Sequence, residues 1–415
     1  MSDSVDALII GAGPAGSATA ILLARAGWKV VLVEQDAYPR RKVCGECLGA
    51  ASLALLDELG VGAGVRAHAG PELRSVGFMS EASTVVADFP ACTSGPYAYG
   101  RAMRREHLDS LLVERALQVG VCVMQPVKVR SVHGRPGAFR CELDTARSGA
   151  RVMSVQASVV IDAHGSWQRG PIIAAGNEPS PTRRPRYRSD LFAFKAVFRN
   201  TALPSGLLPV LALPGAYGGM VIADQGLATL ACCMRRDTLA ACRAAHPGLA
   251  VGEAVEAWLR RHCLGVRDSL EGARRVGPWL SVGPLDPGTE RPVVDAVLRV
   301  GNAAGESHPL IGEGIAMALR SAVLLTDELA GGSAARVDVC EVQRSYGERW
   351  RAEFSQRLRV AALYAQVAMR PRLTWTSRVL MQRWPALLTQ AARLAGKARS
   401  PLSAPLSPRI NHEHA

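Results

Sequence analysis

The sequence predicts an α/β fold: a Rossmann-like dinucleotide-binding sheet carrying an inserted antiparallel sheet, followed by a helical C-terminal region. Three patterns predict it. A buried strand, a glycine turn and a helix open the chain within residues 7–34, and a second strand, glycine turn and helix span 296–329. Between them lie short strands broken by Gly and Pro, and after residue 342 apolar residues recur at helical spacing.

Residues 7–34 read ALIIGAGPAGSATAILLARAGWKVVLVE. The apolar run Ala7 to Ile10 has the length of a buried parallel strand. Gly11, Gly13 and Gly16 then carry the chain, past Ala15, into a helix running to about Arg25. Gly11 permits the tight turn, Gly13 lets a pyrophosphate approach the backbone, and Gly16 lets helix and strand pack closely. The helix N-terminus offers unpaired N–H groups and a partial positive charge to phosphate. The next strand, WKVVLVE, ends at Glu34, where a carboxylate can accept hydrogen bonds from a ribose. Together these parts indicate a dinucleotide site without saying which dinucleotide.

The following stretch, RRKVCGECLG over residues 40–49, contains Arg40, Lys42, Cys44, Gly45 and Cys47. Its C-x-x-C spacing is compatible with a redox dithiol, a metal clip or the wall of a neighbouring site. Zinc requires two further ligands, and no second C-x-x-C accompanies it, so no metal site is predicted.

The second unit reads AVLRVGNAAGESHPLIGEGIAMALRSAVLLTDELA. A strand from Ala296 to Val300 stops at Gly301, Asn302 and Ala303 follow, and Pro309, Gly312, Glu313, Gly314 and Ile315 open a helix ending near Leu329.

Composition narrows the partners. The formal charge is +13, and only five of the 49 basic residues are lysine. No run of five or six basic residues occurs and aromatics make up 5%, so nucleic-acid binding has no support. The N-terminus resembles neither a signal nor a transit peptide, and no stretch reaches membrane-span length. Ten scattered cysteines without a secretion signal predict a reducing, cytoplasmic location.

Taken together, the two glycine motifs resemble the FAD-dependent oxidoreductases of the aromatic-hydroxylase type, in the branch that holds geranylgeranyl reductases and flavin-dependent halogenases. The resemblance implies a glutathione-reductase-type FAD-binding domain from 1–75, 98–170 and 285–341. It further implies a substrate domain from 76–97 and 171–284, with 342–415 as helices and a loose tail. In that family the strand ending in G-D-A-A meets the ribityl chain, with Asn302 here in place of the Asp, and the P-x-x-G-x-G turn faces the isoalloxazine. The middle motif is matched by VVIDAHGSWQRG, implying roles for Asp162, Gly165, Ser166 and Arg169, with His164 in place of a second acid. Arg105, four residues before Asp109, matches an arginine beside FAD, with Arg104 the near alternative. Arg40, Lys42, Cys44 and Gly45 match a segment crossing back to the flavin, which makes Cys44 part of its wall and a dithiol relay the lesser reading.

Between Arg169 and Pro284, FAFKAVFR alternates as a half-buried strand, and further strands follow, implying an antiparallel sheet over the flavin. Tyr217 alone remains of the aromatic element of geranylgeranyl reductases, and the tryptophan motif and lysine of halogenases are not evident. The implied activity is hydroxylation of an aromatic or natural-product-like substrate, the partner being an aromatic or lipid-like small molecule, free or carried on another protein. NAD(P)H would act as transient reductant and a flavin C4a-hydroperoxide as oxidant. Reduction of carbon–carbon bonds is the first alternative, then halogenation, a dithiol flavoprotein, and a non-catalytic flavin-binding partner. His308, Pro309 and Cys44 are the candidate catalytic residues, His308 being equally readable as a structural histidine of the turn. The Arg-rich tail reads as helices covering the body, with peripheral membrane contact the less favoured option.

Overall fold

A computed structural model describes residues 4–145, 152–166, 172–174, 187–288, 290–294, 296–330 and 337–394. Arg169 and the tail beyond residue 394 lie outside the described residues.

Strand Ser4–Ile10 pairs in parallel with Val30–Val33 on one side and with Val152–Asp162 on the other. Cys122–Met124 continues the parallel sheet beyond Val30–Val33, and Val297–Arg299 joins it beside Asp162. Parallel neighbours need a crossover, which helix Pro14–Arg25 supplies between the first two strands. The register aligns Ile10 with Val33 and Asp162, and Asp162 with Arg299. Four strands therefore end along one edge, where the loops of a parallel sheet gather ligands. Position 16 is restricted to glycine, because a Cβ there would lie 1.9 Å from the Gly11 carbonyl oxygen. The upstream part of Val152–Asp162 pairs antiparallel with Ala138–Asp144, which forms a hairpin with Lys128–Arg135.

Helix Pro14–Arg25 packs with helices Arg105–Gln118 and Gly314–Leu329, and buried Trp350 and Phe354 of the 31-residue helix Val339–Met369 close the same core. Two shorter helices follow, Pro371–Arg383 and Ala386–Leu394. Proline at the first position of the former suits a helix start and prevents its fusion with the long helix before it.

The second sheet runs Arg274–Arg275, Leu191–Arg199, Ala228–Arg235, Ala216–Ile222, Leu207–Leu213, Ser75–Met79 and Thr84–Asp88, and Leu280–Val282 also pairs with Leu191–Arg199. Every pairing is antiparallel except that of Leu207–Leu213 with Ser75–Met79. Helices Val251–His262 and Leu264–Ser269 cover one face through Trp258, Leu259 and Val266. The strand Leu191–Arg199 departs from its expected half-burial: both faces are covered, and Lys195 is 3% exposed. The strand is apolar enough for a central position, and its lysine has a buried partner.

Candidate cofactor and substrate site

The loops at the strand ends form a groove. Gly11, Gly13 and Ala15 line it from the first turn, and Glu34, Arg40, Lys42, Cys44 and Gly45 from the segment after the second strand. Arg105 and Gly165 contribute from the middle of the chain, and Gly301, Asn302, Pro309, Gly312, Gly314 and Ile315 from the second glycine unit. Gly16, Asp162, Ala303 and Glu313 are not on the wall. Asp162 is fully buried, accepting hydrogen bonds from the His164 backbone N (3.2 Å) and Nδ1 (2.5 Å) and pairing with Arg299 at 3.4 Å, so it holds the His164–Ser166 turn that does line the groove. The two distant glycine turns touch: a Cβ on Gly301, whose φ is +62°, would lie 2.8 Å from the Ala15 Cβ.

Positive charge gathers at the first helix N-terminus. A Cβ on Gly13 would sit 3.5 Å from Arg105 Nη2 and 4.0 Å from Arg40 Nη2. Asp109, one helical turn on, clamps Arg105 with two 2.7 Å hydrogen bonds. Burial alone would lower the Arg105 pKa, but Asp109 outweighs it and the net shift is upward. Arg104 turns away to Asp224, Glu106 and Gln225. Arg40 donates to Glu34 at 3.0 Å and lies over the Tyr38 ring, 4.9 Å from its centroid. Glu34 also accepts from Ala12 N at 2.9 Å and Asp36 N at 3.0 Å. Burial, reinforced by the Arg40 charge, lowers the Lys42 pKa.

Two donors of Arg40, Nε and Nη1, are buried without a hydrogen-bond partner. Leaving such donors unmet costs about 1–3 kcal/mol each, so they suit the oxygens of a bound anion. Cβ positions at Gly165 and Gly314 meet only open space, leaving room for a ligand against the backbone. The groove thus fits a dinucleotide diphosphate.

Residues 4–175 match the family model described as an FAD binding domain. The protein is a flavoprotein. It is 37% identical to a menaquinone reductase of Mycobacterium tuberculosis over 134 residues, 32% of each chain, so the match spans about a third of that relative's length. A tryptophan 2-halogenase of Chondromyces crocatus is 25% identical over 396 residues, covering 92% of this chain and 72% of its own. A 6-methylpretetramide 4-monooxygenase of Streptomyces rimosus is 29% identical over 163 residues, 39% of this chain and 38% of its own. The flavin-dependent brominase Bmp2 has the same fold, with a TM-score of 0.73 at 18% identity over 98% of this chain and 97% of its own.

The flavoprotein has a second cavity of about 450 Å³, and Val43, Cys44, Gly45, Cys47, Pro309 and Gly312 belong to the walls of both. Val76, Phe78, Leu208 and Met220 line it from the second sheet, and Val367, Met381 and Leu388 from the C-terminal helices. Among the described residues, no charged side chain lines this chamber. Cys44 and Cys47 are not joined in a disulfide. Glu46 between them has a left-handed φ of +62° and sends its carboxylate to buried Lys195 and Thr229, while accepting from Arg105 N at 3.2 Å. Lys195 also donates to the Lys42 carbonyl at 3.2 Å. The loop lining both cavities is thereby fastened to the second sheet, by a pair that sequence reading missed.

His308 of the flavoprotein lines neither cavity. Its Nδ1 is 3.2 Å from the hydroxyl of Tyr217, which faces the chamber, and burial lowers its pKa, favouring the neutral ring. Sequence reading also missed Glu306, which lines the groove next to Ser166. Burial pushes its carboxyl up to about 7, outweighing hydrogen bonds to the Ser166 side chain and the Asp286 backbone. An acid placed between two binding turns was the available signal. Because its folded pKa exceeds the ordinary 4.5, Glu306 favours folding most in acid, and this contribution is lost as pH rises through about 7. Denaturant titrations from pH 4 to 8 should show wild type losing about 3 kcal/mol more than Glu306→Gln.

Proposed function

We propose that this flavoprotein is an NAD(P)H- and O2-dependent monooxygenase that hydroxylates an aromatic, lipid-like substrate held in the apolar chamber. The observation that carries this reading is the shared wall: Cys44, Gly45, Pro309 and Gly312 line both the FAD groove and a chamber that has no charged side chain among its described lining residues. Gly13, Arg40 and Arg105 would hold the pyrophosphate, and Glu34 the adenosine ribose. Asn302, positioned by its 2.8 Å hydrogen bond to Ser166, would meet the ribityl chain. The Gly312–Ile315 helix start would place its partial positive charge at the ring. Bound there, FAD supplies electron acceptance from NAD(P)H and the activation of oxygen. The chain contributes a site that excludes water, and Tyr217, kept protonated by burial, offers a polar handle beside His308. The second sheet forms the substrate unit, and the substrate is free or carried on another protein.

A second reading, carbon–carbon reduction, draws on Glu306: a carboxyl protonated near neutrality could deliver a proton. Halogenation has less support, since among the described residues no lysine lines the chamber and Lys195 is held by Glu46. Incubation with NADPH and long-chain phenols distinguishes the first two. Oxygen uptake matched to product is expected, whereas substrate reduction under anaerobic conditions would replace hydroxylation with reduction.

A further inference from the structure

Among the described residues, twelve large apolar side chains are exposed, and eight of them fall between Leu363 and Leu394. Trp375 is 60% exposed and Trp384 55%, with Leu373, Val379, Leu380 and Leu387 around them. The same stretch is strongly basic: Ser355 to Leu394 contains seven arginines and no aspartate, glutamate or lysine. Arg370, Arg372, Arg383 and Arg393 are exposed, and among the described residues no carboxylate pairs with them.

The buried side of these helices closes the apolar chamber through Val367, Met381 and Leu388. Leu363 is both 58% exposed and part of the chamber wall, which puts it at the mouth. No described helix is long and apolar enough to cross a membrane. Amphipathic helices with tryptophan and leucine among arginines suit the plane of an anionic bilayer, where the rings settle at headgroup level and the guanidinium groups meet lipid phosphates.

We propose that residues 363–394 dock the flavoprotein on an anionic lipid surface, with the mouth at Leu363 facing the bilayer so that an apolar substrate passes from membrane to chamber. The substrate half rests on the function proposed above; the docking half does not. A second copy of the chain is the poorer occupant, because a two-fold interface sets the same patch against itself and would bring unpaired arginines together.

Co-sedimentation of the full chain with vesicles tests the docking. Binding to phosphatidylglycerol–phosphatidylcholine vesicles is expected, with little to pure phosphatidylcholine and progressive release as salt rises. Arg372→Gln and Arg383→Gln should each weaken it about fivefold, and Trp375→Ala with Trp384→Ala more strongly, while bound flavin per chain stays unchanged. Equal binding to both vesicle types, none to the anionic vesicles at low salt, or no response to the four substitutions would overturn the proposal. So would self-association that disappears in the same variants without any vesicle binding. The readout needs no turnover, so failed hydroxylation would leave the docking result intact and failed docking would leave the hydroxylation test intact.

Discussion

The Gly13→Glu variant is expected to purify colourless, with its secondary structure and unfolding midpoint close to wild type. Space for a Cβ exists at position 13, since the nearest atom is an Arg105 nitrogen 3.5 Å away, so backbone damage is small. The added carboxylate would enter the cluster formed by Arg40, Arg105 and the helix N-terminus, pair with the cations and repel the diphosphate. Losing a charge-assisted anion site and replacing attraction with repulsion costs about 3 kcal/mol or more, at least a hundredfold in affinity. The 450 nm absorbance of the purified variant and a titration with FAD check this. A yellow protein with near-native affinity would place the diphosphate elsewhere.

The second large effect concerns Glu46. Glu46→Gln is expected to lose about 3–5 kcal/mol in denaturant titration, because the Lys195 ammonium, 3% exposed, loses its counter-charge. Glutamine retains the side-chain length at a left-handed backbone position, which confines the change to charge. Adding Lys195→Met should recover most of the loss, since a buried pair replaced by groups without charge is often close to neutral. The single variant should also weaken flavin, as Glu46 accepts from Arg105 N and steadies the Arg40–Cys47 segment. A loss below about 1 kcal/mol would mean that the pair does not organise this loop.

The parts of this molecule that were legible in the sequence are those whose constraints are local. Gly11 and Gly16 are fixed by contacts between the turn and the strand ends beside it, and the buried strands on either side declare themselves by uninterrupted apolar runs. Arg105 was distinguishable from Arg104 only in part. Both stand where the helix begins, and the choice depends on Asp224, 120 residues away, which draws Arg104 to the other side. The Glu46–Lys195 pair spans 149 residues and left no periodic trace, because a single polar position in an apolar strand reads as solvent-facing alternation. His308 looked like a group facing substrate because of its neighbour Pro309, yet its ring meets Tyr217. The docking face was visible as charge and tryptophan in the tail, but a choice between cover for the body and a contact surface needed to show which side of each helix the body uses.

One consequence follows from the wall that both cavities share. Cys44, Gly45, Pro309 and Gly312 line both cavities, so on the proposed placement of flavin and substrate an exchange at any of them would shift reduction potential and substrate preference in a single step. New specificities should therefore arise most readily at chamber residues that do not line the groove, such as Val76, Leu208, Met220 and Leu388.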